Sequence, residues 1–226
     1  MKFADIFWPM YQQQILAARR YGTAETPYEI AGRDGIHPGG AGHLLMAYSF
    51  LRAMGLNGDI ATVKYDIQSD GATASAGHQI TACENGVISI TSERYPFCAD
   101  GPLNRDDSIR SGMSLVPFNQ HLNRFMLYVT GLDAQKARIT WGQNSVVVDR
   151  EKLTKGVNLA VLFPKNPFSE TFKAVDSAVA AKQAYETQQV KRVFHGSEGK
   201  RDMESAVART EKERATLVTN ISEAKT

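Results

Sequence analysis

Asp34 and His37 stand three residues apart in the stretch DGIHPGGAGH, residues 34 to 43. A carboxylate and an imidazole at that spacing can meet across one compact turn. The carboxylate then accepts from Nδ1, fixes the tautomer and leaves Nε2 free to take a proton. Pro38 pushes His37 out of the helical region, and the glycines at 35, 39, 40 and 42 let the loop turn tightly. The same pattern also reads as a surface Asp-Gly turn leading into a helix cap. A base needs a nucleophile or a substrate proton in reach, so its use depends on the elements that position this loop.

Ahead of the loop, Phe3, Ile6, Phe7, Met10, Ile15 and Leu16 recur at roughly helical spacing, with Pro9 near the start and Gly22 closing the segment. After it, Leu44 to Met54 is apolar on nearly every side and ends at Gly55, which predicts a buried helix. Residues 1–57 therefore read as helix, loop, helix. Residues 58–165 read as strand-rich: ATVKYDI, HQITAC, GVISITS, RFMLYVTGL, ARITWG and SVVVD are short, β-branched or aromatic, and partly alternating. Asn85-Gly86 marks a hairpin between two of them, and the series predicts an antiparallel sheet or small sandwich. VDREKLTKGVNLAVLF reads as a short helix or turn returning to a final strand. Residues 166–226 read as helical, with Ser169 as the N-cap, a break at GSEGK and a highly charged last helix from Arg201. The fold class expected from these patterns is α+β.

Bulk properties exclude several functions. Hydrophobic residues make up 42% and charged residues 22%, as in an ordinary globular domain. A net charge of +2, with basic and acidic residues interspersed, makes no nucleic-acid or phosphate-binding surface. No apolar stretch approaches the ~20 residues of a membrane span. Asp5 and Pro9 interrupt the apolar run a signal peptide would need, so the compartment stays open. Cys83 and Cys98 read as free thiols. His43 reads as a cap or a packed residue, and His78, His121 and His195 lack metal-ligand spacing, so neither a metal nor a cofactor site is expected. Trp8 and Trp141 read as core or interface anchors.

Asp34-Gly-x-His37-Pro38, a glycine-rich turn and a buried helix together resemble the last motif block of the SGNH (GDSL-type) hydrolases. The match covers Asp34, Gly35, His37, Pro38, Gly42 and the helix through Met54. VPFNQHLNRFMLYVTGL, ITWG and KGVNLA are similar, more loosely, to a C-terminal extension of bacterial members. The resemblance implies that residues 1–57 are the C-terminal remnant of an α/β/α domain. It also implies a Ser-His-Asp ester hydrolase acting on small acyl or acetyl esters, carbohydrate esters among them. His37 would be its base and Asp34 the partner. Related hydrolases are often exported.

The sequence departs from that family where the nucleophile should be. There is no Gly-Asp-Ser block, no Gly-x-Asn-Asp block and no Gly-x-Ser-x-Gly elbow, and GLNGD at 55–59 has the wrong order. Ser49 lies on the buried helix, and Ser69, Ser75, Ser108, Ser111 and Ser114 lie in loop-like stretches suited to turns and caps. The expectation is a fragment or split chain whose serine and oxyanion donors come from elsewhere. The other expectation is a β-rich glycan- or protein-binding module with a relic Asp and His. Leaving Leu44, Leu45, Phe50, Leu51 and Met54 uncovered would cost about 1.5–3 kcal/mol per large side chain. That predicts either self-association or cover from the Phe3–Leu16 segment and the C-terminal helices, self-association being the favoured outcome.

Overall fold

The computed structural model describes residues 3–225. It has mixed helix and sheet in an α+β arrangement, with small antiparallel sheets and helices at the C-terminal end. The chain divides into two compact units, one running to Pro167 and one starting at Phe168.

The first unit opens with α1 (Phe7–Tyr21) and α2 (Gly40–Met54). Gly22 ends α1, and Gly55 ends α2 in the left-handed conformation, φ 87°. Strands β1 (Asp59–Asp66) and β2 (Gly71–Ala74) pair antiparallel, with Val63 opposite Ala74. Strands β3 (His78–Glu84) and β4 (Val87–Ser92) form the hairpin expected at Asn85-Gly86, where both residues take positive φ. Two helices follow, α3 (Ile109–Leu115) and α4 (Phe118–Leu122). Strand β5 (Arg124–Thr130) then returns beside β1 in parallel, Val63 facing Leu127. A second hairpin, β6 (Lys136–Trp141) with β7 (Asn144–Asp149), leads into α5 (Arg150–Lys155). The two-residue β8 (Val157–Asn158) pairs antiparallel with β5, and α6 (Leu159–Leu162) follows it.

The sheet order is β2-β1-β5-β8, so its central pair is parallel between two antiparallel edges. Alternation buries Ala61 and Val63 of β1 with Phe125, Leu127 and Val129 of β5. Trp141 packs between Phe125 and Phe163, at centroid distances of 5.1 and 5.9 Å. Asn123 is buried and holds the Phe97 backbone from both sides, accepting from its N–H at 2.8 Å and donating to its carbonyl at 3.1 Å.

Helices α3 and α4 interrupt the strands of residues 58–165, and they explain how α2 is covered. Leu45 packs with Ala17, Tyr28, Ile30 and Ala41, joined by Met10 and Tyr21 of α1. Leu44 packs with Phe118 and Leu122. A Cβ on Gly112 would lie 2.8 Å from Ala41 Cα, so α2 and α3 approach too closely for any side chain there. Cover for Leu44 and Leu45 thus comes from α1, α3 and α4, while Phe50 and Met54 stay exposed.

In the second unit α7 (Ser169–Gln188) continues through a π-helical turn, Gln189–Phe194, and α8 (Ser197–Arg201) into α9 (Met203–Glu223). Phe168 rather than Ser169 occupies the N-cap of α7, and its neighbour Ser169 is already helical. GSEGK does break the long helix, but its residues then start α8. Helix α9 folds back along α7. Tyr185 Oη donates to the Thr210 carbonyl at 2.9 Å, and buried Gln189 donates to Thr210 Oγ1 at 2.9 Å. Arg214 meets Glu186 at 2.7 Å. Among the described residues no helix is long and apolar enough to cross a membrane.

Candidate active site

The loop between α1 and α2 is tied down at several points before it reaches Asp34. Gln14 of α1 clamps its first part, donating to the Tyr28 carbonyl at 2.7 Å and accepting from Ile30 N–H at 2.6 Å. Glu29 N–H donates to Asp106 at 2.8 Å. Buried Ser111 donates to the Leu103 carbonyl at 2.6 Å, so Tyr28 Oη donates to Ser111 Oγ, also at 2.6 Å. Burial pushes the Tyr28 phenol above its ordinary pKa. Ala41 N–H, at the start of α2, donates to the Asp106 carbonyl at 2.9 Å.

On that base Asp34 makes an Asx turn. Its Oδ1 accepts from the N–H groups of Ile36 and His37, each at 3.0 Å. Its Oδ2 lies 2.6 Å from His37 Nδ1. The turn needs Gly32, which has φ 76° and would place a Cβ 2.2 Å from the His37 carbonyl oxygen. The His37 ring bond, with the two backbone donors, holds the Asp34 carboxyl well below the usual carboxylate range. An ionised carboxylate only accepts, so Nδ1 of His37 carries the hydrogen and a neutral ring presents an unprotonated Nε2.

Both side chains are open to solvent, His37 84% exposed and Asp34 53%. His37 borders a cavity of about 630 Å³ with Tyr21, Thr23, Glu29, Arg33 and Arg105 on its walls. Arg105 is turned to Asp107, at 2.5 Å. Hydroxyls, carboxylates and guanidinium groups line this space more than hydrocarbon does.

No serine among the described residues hydrogen-bonds to His37. Ser49 is buried on α2 and its Oγ has no partner among the described residues. Ser75 Oγ accepts from Thr62 N–H at 3.0 Å. Ser108 caps α3 by accepting from Ser111 N–H, and Ser114 Oγ donates to the Ser111 carbonyl at 2.7 Å. Ser111 and Ser114 are helical residues rather than loop residues, and Ser69 is exposed beside β2.

The remaining histidines are committed elsewhere or stand alone. His121 Nδ1 meets Tyr48 Oη at 2.5 Å with the rings stacked. His78 pairs with Ser92 Oγ at 3.0 Å and with the Ile60 carbonyl at 2.7 Å. The carbonyl forces Nε2 to be a donor, so in a neutral ring Ser92 donates to Nδ1. This His-Ser contact across the β3–β4 hairpin was not singled out from sequence, because its residues are 14 apart and meet only when the strands pair. His43 is exposed on the first turn of α2 instead of capping or packing. Cys83 and Cys98 are free thiols.

No protein-family model matches the chain. No curated protein sequence matches it either. Among solved structures it is similar to BT4096, described as a gut microbial diltiazem-metabolizing enzyme, with a TM-score of 0.66 and 22% identity. That likeness covers 96% of this chain and 58% of the other, so this chain spans little more than half of that enzyme's length. At this identity the shared property is the fold.

Proposed function

We propose that the chain carries the Asp-His part of an SGNH-type carboxylic ester hydrolase. The observation that carries this reading is the 2.6 Å contact between His37 Nδ1 and Asp34 Oδ2, which leaves Nε2 without a hydrogen bond among the described residues. The Asp-Gly-x-His-Pro pattern and the polar cavity at His37 support it. Likeness of fold to an enzyme that metabolizes a drug is compatible with it.

In this reading a serine supplied from outside these 226 residues gives its proton to His37 Nε2 as its oxygen attacks the ester carbonyl carbon. The imidazolium forms beside ionised Asp34, which stabilises it without taking the proton. When the C–O bond breaks, His37 returns the proton to the leaving alkoxide. Water then repeats the cycle on the acyl intermediate, releasing the acid and restoring the serine. Small acyl or acetyl esters on a hydroxylated leaving group, such as a sugar, fit walls lined by Thr23, Glu29 and Arg105.

A second reading is favoured by the absence of any serine bonded to His37 among the described residues. It makes the chain a non-catalytic glycan- or protein-binding module. Hydrolysis of p-nitrophenyl acetate by the chain joined to the segment that bears the serine, with His37 intact and as the His37→Ala variant, separates the two. Loss of turnover in the variant supports the hydrolase; equal rates remove His37 from catalysis.

A further inference from the structure

We infer that α1 is a dimerisation helix, which pairs antiparallel with α1 of a second copy of this chain. Its outward face is aromatic and open: Phe7 is 68% exposed, Trp8 56%, Tyr11 51% and Leu16 55%, with Phe3 and Ile15 exposed beside them. The three rings already pack on one another. Phe7 stacks on Tyr11 at 6.1 Å, and Trp8 meets each of them edge-on at 5.7 Å. The inward face of the same helix is accounted for by Met10, Ala17 and Tyr21, which pack under α2.

Two properties of the helix commit this face to its own copy. The first is area. Aromatic side chains carry about 150–250 Å² each, so the exposed fractions here amount to roughly 600 Å² per copy. Two copies reach about 1,200 Å², the lower end of stable, specific interfaces. The patch on each copy is at the top of the range for the largest apolar patch of an ordinary monomer, about 300–600 Å².

The second property is pattern. A two-fold axis between Tyr11 and Gln12 sets Phe7 opposite Leu16 and Trp8 opposite Ile15, so each large ring faces an aliphatic side chain. The same axis brings Asp5, before the helix, toward Arg19 of the partner copy. Asp5 is the acid at one end, and Arg19 and Arg20 are the bases at the other. Antiparallel pairing also opposes the helix dipoles favourably. An interface between identical surfaces must be self-complementary in this sense.

This inference does not rest on the hydrolase reading. Sedimentation equilibrium on the full chain, from micromolar to sub-millimolar, is its test. A monomer–dimer equilibrium is expected, and Trp8→Glu with Tyr11→Glu should weaken it by about 100-fold or more. Circular dichroism on the same variant checks that the fold survives, since both residues are exposed. Should that variant unfold, Arg19→Glu alone, which leaves the apolar face intact, should still weaken the dimer. Register is read by cross-linking in a Cys83→Ser background with a short bis-maleimide. Gln12→Cys should link two chains, while Arg20→Cys, about 25 Å from its symmetry mate along the axis, should not. A monomeric mass throughout overturns the inference, whether or not the chain binds lipid vesicles or another protein. So does a dimer that neither the glutamates nor the arginine reversal weakens, or one that links equally at both cysteines.

Discussion

Asp34 holds His37 twice, through the ring nitrogen at 2.6 Å and through the backbone N–H at 3.0 Å. The two bonds use different carboxylate oxygens, so a single side chain sets both the turn and the ring tautomer. Neither oxygen depends on a residue beyond this short loop.

Asp34→Asn separates those two roles. The amide oxygen can still accept from the backbone, so stability should change little, as at other exposed positions. The Nδ1 partner loses its charge and its obligatory acceptor character. Hydrolysis that depends on His37 should fall by about 10⁴-fold, the size seen where a triad carboxylate becomes an amide. Thermal melts of the chain, and p-nitrophenyl acetate rates of the chain joined to the segment that bears the serine, check this, and unchanged turnover would sink the orienting role.

Asp34 should titrate well below the ordinary carboxylate value, because its ionised form accepts three hydrogen bonds and its protonated form would lose them. Its folded pKa is depressed. Its contribution to stability is therefore present at neutral pH and above the unfolded pKa, and is lost as pH falls through the folded pKa. Solvent screens this exposed pair, so the contribution is small. Carbon-detected NMR of the Asp34 carboxyl as pH is lowered should find it still ionised where ordinary aspartates have titrated, and in His37→Ala its midpoint should move up toward the usual value.

Gly32→Ala attacks the loop from the backbone. The left-handed conformation at φ 76° costs a non-glycine residue about 1–2 kcal/mol. The new methyl would also meet the His37 carbonyl. A lower melting temperature is expected, together with a changed environment for the His37 ring resonances. A variant that melts with the parent would mean that the turn is built differently.

Leu45→Ala tests whether α2 is part of a closed core. Leu45 is fully buried among Ala17, Tyr28, Ile30 and Ala41. The expected loss is about 2–5 kcal/mol. Phe50→Ala, on an exposed part of the same helix, should cost much less. Equal losses in chemical denaturation would show that the α2 packing is misassigned.

Local features were legible in the sequence because their determinants lie within a few residues. Asp34 and His37 meet across one turn, Asn85-Gly86 closes the β3–β4 hairpin, and Gly55 ends α2 in a left-handed cap. Six strand segments showed in β-branched and aromatic residues for the same reason.

What only the tertiary structure decided involves partners far apart in the chain. Period-two alternation in ATVKYDI and RFMLYVTGL says that each strand has a buried face, but not which strand lies beside it. The parallel register of Val63 with Leu127 therefore had no local signature. Helices α3 and α4 have seven and five residues, too short for a 3.6-residue period to stand out. Phe118 and Leu122 of α4 nevertheless cover Leu44. The same hydrophobic spacing that marked α1 could not say which of its apolar residues face inward. Folding places Met10 and Ala17 under α2 and leaves Phe7, Trp8 and Tyr11 outside, because a helix surrounded by apolar residues can bury only the arc its neighbours reach.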